Sequence, residues 1–191
     1  LVMQGNLAES LAARGDVAVA LPQIEAALEE SRAFGNRATT GHLASVASLV
    51  HELRNDVPAA ARAMRETLTA IAQGTPGPLV IMAFDFSARI AQRTGDHAFA
   101  LALLAAGDTY ATAHALPLLP LQDFWRDPVH EAARAHLTQE AYEREISAGR
   151  AASEAQMVAQ LDAYLAELAH EELYAASRQT GITDRTSPRA R

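Results

Sequence analysis

Histidine and carboxylate side chains in the second half of the chain raise the question of metal chemistry. His130, Glu131 and His136 form the pattern H-E-x-x-x-x-H. Its two histidines are six residues apart and point about 120° away from each other around a helix. A zinc-binding helix with this type of motif needs two histidines four residues apart. We therefore interpret these residues as solvated positions on a helix, and we expect no metal site and no cofactor.

Other catalytic patterns do not occur. The sequence contains no cysteine and no lysine, which excludes a thiol nucleophile and a lysine-containing phosphate loop. It also has no G-x-S-x-G and no G-x-G-x-x-G motif. We expect that the chain has no catalytic residues and is not an enzyme, and we keep a helical enzyme with a groove site only as a third hypothesis.

One stretch, VIMAFDFSARIAQ at positions 80–92, places charges in an apolar helix. Arg89 follows Asp85 by four residues, so the two side chains share one helix face and can pair. A buried pair requires good geometry, because both charges lose their hydration. The pair is either a local contact that faces solvent or part of a binding surface.

The elements that carry these residues belong to an internal repeat. A Gly-Asp or Asn-Asp pair recurs every 40 residues, at Gly15-Asp16, Asn55-Asp56 and Gly95-Asp96. Such a pair can end one helix with a left-handed residue and cap the next helix with the aspartate. The tripeptide Arg14-Gly15-Asp16 is therefore predicted to be an inter-helix turn and not an adhesion motif, because the other copies lose the tripeptide but keep the turn.

Periodicity and breakers predict one domain over residues 1–178. Its parts are three helical repeats at about 1–36, 37–76 and 77–116, a degenerate fourth pair at 121–150, and a capping helix at 153–178. In the fourth pair, Asp127 is expected to cap a helix that has Pro128 at its first position. Trp125 then lies in the preceding loop, and residues 179–191 form a disordered tail.

Composition limits the partners. Alanine is abundant and all sixteen basic residues are arginine, which favours an all-α protein from a high-GC genome. The net charge of −7 argues against direct nucleic-acid binding. No apolar run is long enough to span a membrane, and the lack of cysteine suits a reducing cytoplasm.

The first repeat resembles the tetratricopeptide repeat (TPR). The residues that carry the resemblance are Leu7, Ala8, Leu11, Gly15, Asp16, Ala20, Ile24 and Ala27. The later copies are looser, and their period of 40 residues is longer than the usual 34. The resemblance implies a right-handed superhelix of helical hairpins closed by a C-terminal capping helix.

A second resemblance covers about residues 98–161. The strings AFALALLAAGDTYATAHALPLLP and PVHEAARAHLTQEAYEREISAGRAASEAQMVAQL are similar to the C-terminal end of TPR regions in LuxR-type, AfsR-type and related ATPase-containing bacterial regulators. Tyr142 replaces the phenylalanine common in that family, and residues 162–191 do not contain the helix-turn-helix that follows in LuxR-type members. The resemblance implies a sensor or interaction module whose ATPase and DNA-binding domains lie outside this chain.

On this interpretation the first helix of each repeat presents a concave face to a protein segment or a small inducer. The alternative is a stand-alone adaptor that recruits a client peptide, and homodimerisation is left open. The residues that we assign to the concave face or beside it are Glu9, His42, Ser45, Glu52, Met82, Asp85, Arg89, Gln92, Arg93 and Trp125.

Overall fold

The structure, a computed structural model, describes residues 1–74, 77–117 and 120–179. These ranges hold nine α-helices and no β-strand, which confirms the all-α class. The helices are α1 (Val2–Ala13), α2 (Val17–Phe34), α3 (Arg37–Leu53), α4 (Val57–Ala72), α5 (Pro78–Arg93), α6 (His97–Ala113), α7 (Pro120–His136), α8 (Gln139–Ala151) and α9 (Glu154–Gln179). None of them is both long and apolar enough to cross a bilayer. The predicted tail lies outside the described residues from position 180 onward.

The recurring pairs form the turns inside the first three hairpins, as predicted. The residue before each aspartate has a positive φ, at Gly15 (84°), Asn55 (63°) and Gly95 (87°). In each copy the aspartate N–H donates to the carbonyl five residues earlier, which is the Schellman closure of a helix. Asp56 and Asp96 also cap the following helix through their side chains. Asp16 makes no such cap and pairs with Arg14 instead.

The three hairpins stack with the same internal packing. Ala20, Ala60 and Ala100 are fully buried in their second helices, and four residues later Ile24, Met64 and Leu104 are buried too. Small residues at this column let the paired helix approach closely, and the Ser48 hydroxyl donates to the Ala60 carbonyl across the second hairpin. Helices α1, α3 and α5 lie side by side and form the surface that we call the concave face.

The structure corrects the predicted start of α7. This helix begins at Pro120, so Trp125 lies within it and Pro128 is inside the helix instead of at its first position. Pro128 cannot donate to the carbonyl of residue 124, a loss that normally favours a helix boundary. The buried side chains of Trp125 and Arg126 hold the helix against the stack and outweigh this local preference.

The last three helices pack more on the stack than on one another, and α9 is not the expected end cap. Helices α7 and α8, the predicted degenerate fourth pair, meet where Tyr142 contacts His130 and Arg134, but α7 packs mainly on α5 and α6, and α8 packs closely on α6. Gly149 permits this, because a Cβ there would lie 2.2 Å from the Ala102 carbonyl oxygen. Helix α9 returns to α4 and buries Met157, Leu161 and Leu165 instead of covering the end of the stack.

Candidate site on the concave face

Trp125 holds α7 against the concave face. Its side chain is 2% exposed, and its indole N–H donates to Glu9 Oε1 on α1 with a nitrogen–oxygen distance of 3.2 Å. The ring meets Phe86 edge-on, and the guanidinium of Arg89 lies 5.3 Å from its centroid. Helix α7 therefore covers part of the surface that the sequence assigned to a partner.

A buried ion cluster joins α3 to α5 beside Trp125. Glu52 is 1% exposed and accepts from Arg89 Nε at 3.0 Å and from Arg89 Nη2 at 2.8 Å. The other Glu52 oxygen accepts from Arg93 Nε at 2.6 Å. Both Arg89 nitrogens donate to the same Glu52 oxygen and Arg93 donates to the other one, so each carboxylate oxygen accepts charge-assisted hydrogen bonds that compensate its burial. The sequence prediction grouped these three residues correctly on one face, but it paired Arg89 with Asp85.

Asp85 has a different partner, on α7. Its Oδ1 lies 3.4 Å from Arg126 Nε, and its Oδ2 accepts from Gln122 Nε2 at 3.3 Å. Arg126 donates through Nη2 to Asp108 and to the Leu104 carbonyl, so its hydrogen bonds go to α6. Asp85 Oδ1 has no hydrogen-bond partner among the described residues.

Burial governs the protonation of this carboxylate. Removal from water raises the pKa of Asp85 to about 7, which Arg126 opposes and Asp108 reinforces. Burial also raises the pKa of Glu9, where the bond from Trp125 acts in the opposite direction. His42 has its pKa lowered by burial and is therefore a neutral imidazole at neutral pH.

A cavity of about 180 Å³ lies between α1, α3, α5 and the start of α7. Its lining residues are Asn6, Glu9, His42, Pro78, Ile81, Met82, Asp85, Phe86, Pro117 and Gln122. Most of the exposed wall is apolar, and the polar groups are concentrated in two carboxylates, two amides and one imidazole. This is the composition of a small-molecule site.

Eight of the ten predicted residues fall into two groups. Glu9, His42, Met82 and Asp85 line the cavity, while Glu52, Arg89, Arg93 and Trp125 form the neighbouring buried cluster. Ser45 is buried and donates to the His42 carbonyl at 2.7 Å, so it supports α3. Gln92 is half-buried near the end of α5 and takes no part in the cavity.

Sequence reasoning missed the contribution of α7 and α6. Gln122 and Arg126 reach Asp85, and Asp108 holds Arg126. A signal was present, because Gln122 and Arg126 are four residues apart and share a helix face once the helix is allowed to include Trp125. Within the described ranges, no group of three or more histidine or acidic side chains is arranged to hold a metal ion.

Comparison with known proteins adds no relative. No family model matches the chain, and neither the curated proteins nor the solved structures contain a match.

Proposed function

We propose that this chain is a non-catalytic sensor module of a multidomain bacterial transcriptional regulator in the cytoplasm, and that a small inducer binds in the cavity on its concave face. The observation that carries the proposal is the cavity itself, which is mostly apolar and is walled by α7 as well as by the hairpins. The resemblance of residues 98–161 to the TPR regions of LuxR-type and AfsR-type regulators supplies the regulatory context.

Helix α7 connects the cavity to other helices, so the binding of a ligand can affect the rest of the molecule through it. Gln122 on α7 and Asp85 on α5 line the same cavity and contact each other. One turn later, Arg126 connects α7 to Asp108 on α6. A ligand that contacts Asp85 or Gln122 has a different affinity for each position of α7, and it therefore shifts the balance between those positions. Domains outside this chain would sense that shift.

Thermal denaturation with a panel of amines, carboxylates, sugars and nucleosides tests the proposal. A ligand of the folded state raises the melting temperature, since 100-fold excess over Kd contributes about 2.7 kcal/mol. We expect one class to stabilise the chain and to lose its effect on Met82→Trp, which fills the cavity. Met3→Trp is the matched control, because Met3 is 85% exposed on α1. If no class shifts the melting temperature, the sensor function is wrong.

The alternative is an adaptor that recruits a client peptide. A client would have to displace α7, because Trp125 and Arg126 already occupy the surface between α1, α5 and α6. An adaptor therefore predicts that Trp125→Ala tightens binding of helical peptides, measured by fluorescence anisotropy. Tight peptide binding by the unaltered chain, together with no response to small molecules, would favour the adaptor over the sensor.

A further inference from the structure

The two carboxylates of the cavity have unused capacity to accept hydrogen bonds. Within residues 1–74, 77–117 and 120–179, Glu9 accepts a hydrogen bond from the Trp125 indole and Asp85 accepts one from Gln122. A carboxylate has about four acceptor positions. Asp85 is 1% exposed, and its Oδ1, which lies 3.4 Å from Arg126 Nε, has no hydrogen-bond partner in the described part of the chain. A ligand can approach this carboxylate only from the cavity that Asp85 lines.

The guanidinium of Arg126 lies near Asp85 but does not donate a hydrogen bond to its Oδ1. Arg126 Nε is 3.4 Å from Asp85 Oδ1 without the geometry of a hydrogen bond. Its Nη2 donates to Asp108 and Leu104, so its charge is shared with a second carboxylate. None of the lining residues is an arginine, and the buried imidazole of His42 is neutral. The described lining of the cavity therefore contains two acids and no cationic side chain, and of these two acids Arg126, behind the lining, approaches only Asp85.

The apolar part of the cavity wall favours a ligand with a small apolar body. Pro78, Ile81, Met82, Phe86 and Pro117 supply apolar surface, and the volume of about 180 Å³ restricts the ligand to a small molecule. Phe86 offers an aromatic ring, which also attracts a cation. An anion would be repelled by both acids, and a neutral alcohol would leave their charge uncompensated.

We infer that the cavity takes a small organic amine in its protonated form, with the ammonium group donating to the carboxylates of Asp85 and Glu9 and the apolar body lying against the proline, isoleucine, methionine and phenylalanine wall. This inference rests on the proposed function, because it names the chemical class of the inducer. The apolar wall beside the two acids suits an organic cation, whose carbon body it can contact.

A series of ligands with one shape and three charges tests the class. Butylamine, butanol and butyrate are titrated at about pH 8, where the alkylammonium keeps its proton. Trp125 is the single tryptophan of the chain and contacts Glu9, so its fluorescence reports binding beside the cavity. We expect butylamine to bind about tenfold or more tighter than butanol, because charge-assisted hydrogen bonds are stronger than neutral ones, and butyrate to bind weakest.

Three variants locate the effect. Asp85→Asn and Glu9→Gln should each weaken butylamine about tenfold and leave butanol unchanged, while Glu30→Gln, on the exposed face of α2, should alter neither. Circular dichroism verifies that each variant is folded. Because Arg126 lies beside Asp85, Asp85→Asn can also act by moving Arg126, and Glu9→Gln therefore tests the second acid independently. Equal binding of butylamine and butanol, or equal loss in Glu30→Gln, would overturn the inference.

The result also separates the inference from the proposed function. If a sugar, nucleoside or carboxylate of the panel binds in the cavity and amines do not, the amine class is wrong and the sensor stands. If no compound of any class binds, both are wrong.

Discussion

Glu52→Gln removes the charge that compensates two arginines at the centre of the concave face. The Glu52 side chain is 2% exposed and that of Arg89 is 9% exposed, whereas Arg93 keeps 33% of its side-chain surface in water. Arg93 can turn outward when its partner changes. Arg89 cannot, because it is covered by the Trp125 ring and bound on both sides of its fork.

The expected loss of stability follows from this difference in burial between Arg89 and Arg93. Breaking a buried pair by removing one partner costs about 3–5 kcal/mol, since the other charge stays buried without compensation. The glutamine oxygen can still accept from Arg89, and this places the expected loss near the lower end, about 3 kcal/mol. With a urea dependence of about 2 kcal/mol per molar, the unfolding midpoint should fall by about 1.5 M.

A surface pair provides the matched control. Arg32 on α2 and Glu66 on α4 also form an arginine–glutamate pair between helices, with Nε and Nη2 donating to separate carboxylate oxygens, but their side chains are 52% and 28% exposed. Glu66→Gln should cost less than about 1 kcal/mol. Urea denaturation followed by circular dichroism at 222 nm, a wavelength that reports helix, compares the two variants. If Glu52→Gln is no more destabilising than Glu66→Gln, the argument from burial is refuted.

Two further predictions concern helix contact and pH. Gly149→Ala should lower the free energy of unfolding by about 1–3 kcal/mol, because the new Cβ meets the Ala102 carbonyl. Gly107→Ala, whose Cβ has no atom closer than 3.6 Å, should raise the free energy of unfolding by about 0.5–1 kcal/mol. Equal melting temperatures of the two variants would contradict this prediction. Asp85 has a pKa of about 7 against an ordinary 3.8, so the folded chain binds its proton more tightly between these values. The contribution of Asp85 to stability therefore falls as the pH rises from about 4 to 7. In urea titrations, the free energy of unfolding of Asp85→Asn should rise over that pH range relative to that of the unaltered chain. A difference between the two that does not change with pH would contradict the burial of this carboxylate.

The repeat and its turns could be predicted because they depend on local chemistry. Glycine or asparagine before an aspartate can adopt the positive φ that the turn requires. Asn55 adopts it in the second copy, as Gly15 and Gly95 do in the other two. The start of α7 could not be predicted in this way. Pro128 is a correct local signal for a helix start, and only the long-range contacts of Trp125 and Arg126 override it.

The site was predicted in part for the same reason. Repeat register placed Glu9, Asp85 and Arg89 on one face, since register requires only helical geometry. The partner of each charge depends on how far neighbouring helices lie from it. Arg89 therefore reaches Glu52 on another helix instead of Asp85 on its own, a choice that no spacing within α5 encodes.

The return of α9 onto α4 changes how the molecule unfolds. In a simple array each hairpin depends on its neighbours alone, and single hairpins can open one at a time. Here the guanidinium of Arg65 on α4 binds Asp162, 97 residues along the chain, and Tyr164 packs on Phe99 of the third hairpin. Opening the second hairpin exposes the apolar stripe of α9 as well. We therefore expect the hairpins to melt as one cooperative unit and to fold slowly for helical repeats, because their interface closes only after a long loop has formed.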